Sequence, residues 1–171
     1  MDIVADTSAL ILLEKTKLLE KLMKNKCNFT ISEEVEKEAI EVGKNKGYPD
    51  AFLLKEKCDG GLIKIKRVKD QVKVNKIMKD FKIEKGEAES VVLFLQEKSD
   101  LLATDDRLAI TACRALAIPV SGCPALVIES YNKSIIEKEE AINMIKILAK
   151  DGRYKDYIIF QALQDISGGK K

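Results

Sequence analysis

Carboxylates stand at the points where short apolar runs end or helical runs begin. Asp6 follows Ile3–Ala5, and Asp105 and Asp106 follow Leu101–Ala103. Glu34 and Glu38 lie in a helical stretch after Ser32, and Glu87 and Glu89 follow Gly86. Brought together, such acids repel one another unless a cation neutralises them. Ligation by oxygen alone suits Mg²⁺ or Mn²⁺. The chain contains no histidine, which removes Ser-His-Asp and Cys-His catalysis and imidazole general-base work. What remains is chemistry by carboxylates, lysines, hydroxyls or an oxygen-held metal.

Each acid has an ordinary reading when taken alone. Asp6, Asp105 and Asp106 suit helix caps or turns, and Glu87 and Glu89 suit the first turn of a helix, where the dipole favours negative charge. The run Glu33 to Glu41 suits a solvated helix face. Thr7, Ser8 and Thr104 carry hydroxyls beside the acids and read as caps or supports rather than as ligands. The functional reading rests on all four groups occurring together. Glu87 and Glu89 are two residues apart and point to different sides, so only one of them is expected to reach a metal directly. Glu34 and Glu38 share a face beside Val35 and Ala39, which aims one of them toward a half-buried rim.

Positioning these acids requires strands that end side by side. Ile3–Ala5, Leu101–Ala103 and Ile118–Val120 read as short buried strands, with Asn28–Ile31 and Leu62–Ile65 as weaker ones. Apolar residues recur at helical spacing over Leu10 to Met23, over Val35, Ala39 and Val42, and over Ala88 to Leu95. Ser32 reads as an N-cap, Gly43 to Asp50 as a loop, and Pro119 as a residue of an edge strand. Strands alternating with helices predict a three-layer α/β/α fold around a mostly parallel sheet, with ligands at the carboxyl ends of its strands. The expected organisation is one domain over 1–166. Its core spans about 1–130, C-terminal helices (Ile135 to Leu148 and Tyr154 to Ile166) pack on it, and 167–171 form a disordered tail.

The 171 residues suffice for one domain and its core, and 46% hydrophobic with 34% charged residues is a globular balance. A net charge of +2 gives no global attraction to nucleic acid, so any such attraction is local. The most basic run (Lys64, Lys66, Arg67, Lys69 and Lys73) reads as a solvated face. No apolar stretch reaches membrane-span length, and the opening residues lack the pattern of a signal peptide. The four cysteines form no CxxC pair and read as reduced thiols of a cytoplasmic protein rather than zinc ligands.

In this frame the sequence resembles the PIN-domain family over most of its length. Asp6-Thr7-Ser8 is similar to the family's first motif. Ile31 to Glu38 is similar to the second, although Ser32 stands where proline is usual, and this motif selects Glu38. Lys85-Gly86-Glu87-Ala88-Glu89 and Leu102-Ala103-Thr104-Asp105-Asp106-Arg107 are similar to the third and fourth, and Ala115 to Gly122 resembles a stretch found in prokaryotic members. The resemblance implies an Mg²⁺- or Mn²⁺-dependent endoribonuclease. Asp6, Glu38, Glu87 and Asp105 would be its catalytic acids, with Asp106 and Glu89 as neighbouring metal-ligand candidates. It further implies a VapC-like toxin of a toxin–antitoxin pair, with RNA as substrate, a small antitoxin as partner and a homodimer as assembly. Two alternatives remain at this point. One is a non-catalytic PIN-like module that binds RNA or protein; the other is a different acid-site enzyme, such as a Toprim-like nuclease or a phosphohydrolase. A haloacid-dehalogenase-like phosphatase would need a second Asp where Ser8 stands.

Overall fold

A computed structural model describes residues 1–169. Strands β1 (Asp2–Ala5), β2 (Asn28–Ser32), β3 (Ile63–Lys66), β4 (Leu101–Ala103) and β5 (Val120–Ser121) pair in parallel as one sheet, in the order β3-β2-β1-β4-β5. Helices α1 (Thr7–Lys15) and α2 (Leu18–Lys24) join β1 to β2. Beyond β2 come α3 (Glu33–Glu36), a π-helical segment (Lys37–Val42), α4 (Gly43–Asn45) and α5 (Pro49–Asp59). Then α6 (Gln71–Phe81) and α7 (Lys85–Glu97) lead to β4, and α8 (Arg107–Ala115) leads to β5. The chain continues with α9 (Cys123–Asn132), α10 (Lys138–Asp151) and α11 (Asp156–Ser167).

Alternation along the strands divides the core in two, because successive side chains of a strand point to opposite faces. Ile3, Ala5, Phe29, Ile31, Ile63 and Ala103 pack with residues of α1, α2, α9, α10 and α11. Val4 and Leu102 face the other way, into a cluster built by α6, α7 and α8. The expected three layers and parallel sheet are therefore present, with helices on both faces. Leu10, Leu13, Leu18 and Leu19 are fully buried, and burial of each such side chain contributes about 1.5–3 kcal/mol. No helix among the described residues is long and apolar enough to cross a membrane.

Several local expectations differ from the structure for identifiable reasons. The apolar period over Leu10 to Met23 belongs to two helices, separated at Lys17, which adopts a left-handed conformation at φ 62°. Thr16, just before the break, turns its hydroxyl back onto the carbonyls of Leu12 and Leu13, competing with the backbone ladder. The segment read as a loop from Gly43 is partly helical: α4 continues the preceding helix, and Pro49 starts α5, its fixed φ suiting a first helical position. Val42, expected on the apolar face with Val35 and Ala39, is exposed while they are buried. The π-helical turns between them shift the register of the face. At the C-terminus, α11 extends through Ser167, and the expected tail residues Lys170 and Lys171 lie outside the described residues.

Candidate active site

The sheet order sets the location of the site. β1 is flanked by β2 and β4, and Ala5 lies opposite Ala103, so Asp6 and Thr104-Asp105 leave the sheet at the same edge. Connections run one way from β1 through β2 to β3 and the other way from β4 to β5. The crevice between β1 and β4 is therefore the place where α/β sheets bind ligands.

Asp6 is only 2% exposed. As the N-cap of α1 its Oδ1 accepts the Ala9 N–H at 2.8 Å and the Ser8 hydroxyl at 3.0 Å. Its Oδ2 accepts the hydroxyl of Thr104. Burial pushes its carboxyl up to about 7; the hydrogen bonds pull against that rise, and the charge of Asp105 adds to it. Thr7, Ser8 and Thr104 thus sit around the acids as supports.

Asp105 is held on one side only. Its Oδ1 accepts the Cys123 N–H at 2.9 Å at the start of α9, while its Oδ2 is buried without a hydrogen-bond partner. Burial again raises the carboxyl above its ordinary value. The neighbouring Gly122 is required by space, since a Cβ there would lie 2.7 Å from Asp105 Oδ1. Asp106 serves as the N-cap of α8, its Oδ1 accepting the N–H groups of Leu108 and Ala109 at 2.8 Å each.

Glu38 and Glu87 approach from two other elements. Glu38 lies in the π-helical segment, a feature frequent at functional sites. It accepts the Thr7 hydroxyl at 2.5 Å. It also packs against Gly86, where a Cβ would come within 2.8 Å of its Oε2. Glu87, in the first turn of α7, keeps its Oε2 buried and unpartnered. Its carboxyl is raised chiefly by burial, and further by the charges of Asp106, Glu84 and Glu38. Glu89 is set differently: 5% exposed, it pairs with Lys85 at 3.7 Å, and Lys85 also bonds Glu34. Asp6 therefore lies within reach of the Asp105 charge and Glu87 within reach of Glu38 and Asp106, while Asp106 caps α8 and Glu89 has a lysine partner.

A cleft of about 600 Å³ opens onto Glu87, Asp105 and Asp106, lined also by Ser8, Lys15, Arg107 and Tyr154. The Tyr154 hydroxyl is buried beside Asp105 and Cys123, short of hydrogen-bond geometry with either, and burial holds it far above the usual range for tyrosine. Lys15 and Tyr154 belong to no acid motif and were missed from sequence, because only the packing of the α10–α11 turn brings residue 154 to residue 105.

A family model described as a PIN domain matches residues 2–167. The chain belongs to the PIN-domain family. PIN domains are nuclease-type folds that typically use divalent metal ions. No curated protein matches the chain significantly.

Among the described residues, no three acidic or thiol groups already close on a single point as a complete ligand set. The donors nevertheless fit a hard divalent cation. Asp105 Oδ2 and Glu87 Oε2 are carboxylate oxygens buried without partners, which is costly for charged groups lacking a counter-charge. A cation would supply that charge, with waters completing its shell as is usual for Mg²⁺.

Proposed function

We propose that this PIN domain is an Mg²⁺- or Mn²⁺-dependent endoribonuclease that hydrolyses RNA phosphodiester bonds at the β1–β4 cleft. The observation carrying this reading is the pair of partnerless buried carboxylate oxygens, on Asp105 and Glu87, whose residues line one cleft. Asp6, Asp105 and Glu87 would hold the cation, with Glu38 reaching it through water. When bound, the metal supplies a water of lowered pKa and offsets negative charge in the transition state, so no histidine is required. Thr7, Ser8 and Thr104 fix the carboxylates, and the buried floor at Asp6 keeps bulk water from competing for them. The same reading includes a toxin role opposite a small antitoxin, a homodimeric assembly and a cytoplasmic location. These extensions rest on family likeness alone.

The open ligand set favours one second reading, a PIN module that binds RNA without cutting it. Incubating single-stranded RNA of mixed sequence with Mn²⁺, with EDTA, and with Asp6→Asn protein separates the two. Cleavage that needs Mn²⁺ and disappears in Asp6→Asn supports the nuclease. An intact RNA with protein whose melting temperature rises in Mn²⁺ supports the binding module.

A further inference from the structure

We propose that Arg153, together with Arg107 and Lys15, forms a cationic rim that takes the backbone phosphates flanking the one presented to the acids. The inference rests on the nuclease reading of the same cleft and adds Lys15 and Arg153, which none of the acid motifs contain, to Arg107 at the end of the fourth.

The three cations come from separate elements: Lys15 from the end of α1, Arg107 from the start of α8, and Arg153 from the turn between α10 and α11. All three are solvent-exposed and line the cleft that holds Glu87, Asp105 and Asp106. The arginines stand out against the composition. The chain has 30 basic residues, yet its only arginines are Arg67, Arg107, Arg114 and Arg153, and two of those face this one cleft. Ion pairing elsewhere is the work of lysines, as in Lys21–Glu140, Lys57–Glu14 and Lys66–Glu97. Among the described residues neither Arg107 nor Arg153 has an acid within ion-pair distance, so both guanidinium forks remain available. A planar fork of fixed donors matches two phosphate oxygens, which the point charge of a lysine does not. Lys15 is held loosely by Asp151 at 3.8 Å, a contact that a phosphate can displace.

Gly152 precedes Arg153 in the turn between α10 and α11. A Cβ at residue 152 would come within 2.7 Å of the Leu148 carbonyl and still closer to the Tyr154 ring, so the turn holds its shape only with glycine there. The cleft also carries Asp151 beside its other acids, and a polyanion is therefore held there with help from the divalent cation as well as from the rim. The ligand class is a single-stranded nucleic acid, engaged through phosphates on both sides of the scissile one.

The test is fluorescence anisotropy of a labelled single-stranded RNA in Ca²⁺, across about 50 to 200 mM salt, with the RNA checked for integrity afterwards. Wild type is compared with Arg153→Ala and Arg107→Ala, and with Lys79→Ala as an exposed cation on α6 away from the cleft. Each arginine variant should bind about fivefold more weakly, with a salt slope reduced by about 0.7 per lost contact. Lys79→Ala should match wild type. Unchanged affinity and slope in Arg153→Ala, an equal loss in Lys79→Ala, or no RNA binding by wild type would each overturn the rim. Cleavage by wild type in Mn²⁺, measured alongside, tests the nuclease reading separately: binding lost in the variants without any cleavage sinks the nuclease and leaves the rim standing.

Discussion

The Thr104 hydroxyl at the end of β4 donates to Asp6 Oδ2 at the end of β1, tying together two strands whose residues are far apart in sequence. This bond is one of three that restrain the upward push of burial on the Asp6 carboxyl. In Thr104→Val the oxygen loses its donor while the shape of the side chain is kept. The expected cost is about 1–3 kcal/mol of stability. The pH at which Mn²⁺ begins to raise the melting temperature should also move upward, because Asp6 then gives up its proton less readily. Melting curves with and without Mn²⁺ across pH check both effects.

Asp6 also contributes to the pH dependence of the metal-free protein, in the same direction as Asp105 and Glu87, whose carboxyls burial likewise raises. Its carboxyl titrates near 7 in the fold against 3.8 ordinarily, so between those values the fold holds a proton that the unfolded chain has released. Stability from this group is fully present below pH 3.8 and is lost as pH rises through about 7. Three pKa units correspond to an upper bound of about 4 kcal/mol. Asp6→Asn should be more stable than wild type at pH 8 without metal, and should lose the stabilisation by Mn²⁺ that wild type shows. Differential scanning calorimetry at pH 5 and 8 (chosen to straddle about 7) reads the sign directly.

Glu87 and Glu89 stand two residues apart in one motif but in different surroundings. Glu87→Gln removes a partnerless buried carboxylate, so metal-free stability should hold or improve while activity in Mn²⁺ falls about a hundredfold. Glu89→Gln breaks the contact with Lys85 and should lower stability by about 1–2 kcal/mol while activity falls far less. Denaturant melts paired with initial cleavage rates distinguish the two variants.

Two glycines are set by the acids they touch. Alanine at Gly122 would press on Asp105 Oδ1, and alanine at Gly86 on Glu38 Oε2. Displacing an acid by a fraction of an ångström is expected to cost about tenfold to a hundredfold in rate, with the fold retained. Cleavage rates beside far-ultraviolet circular dichroism test this.

The strands and the four acid clusters were legible because each signal is local: a β-branched or apolar run followed by carboxylates, or an N-cap such as Ser32, which accepts the Val35 N–H at 3.2 Å. Helix α5 carries little apolar periodicity, whereas α6 and α8 are amphipathic and their period stood in the sequence unread. The break at Lys17 was hidden because apolar spacing continues across it, and the π-helical shift that exposes Val42 has no residue signature. The choice between Glu87 and Glu89 depended on which one meets Lys85, a contact made across one helical turn. The cationic side of the cleft was illegible for a different reason. Arg153 and Tyr154 belong to it only through long-range packing of the C-terminal helices.

The central place of β1 carries a consequence for synthesis. During synthesis β1 waits for β4, about a hundred residues later, to supply its second neighbour, and for α9 to α11 to cover its face. At translation rates of about 5–20 residues per second, the earliest folded portion spends seconds with a half-built edge. Throughout that interval Asp6 has neither Thr104 nor Asp105 beside it. Until β4 has emerged, the acids that β1 and β4 bring to one edge are apart, so the candidate site of this PIN domain is assembled only after its fourth strand is made.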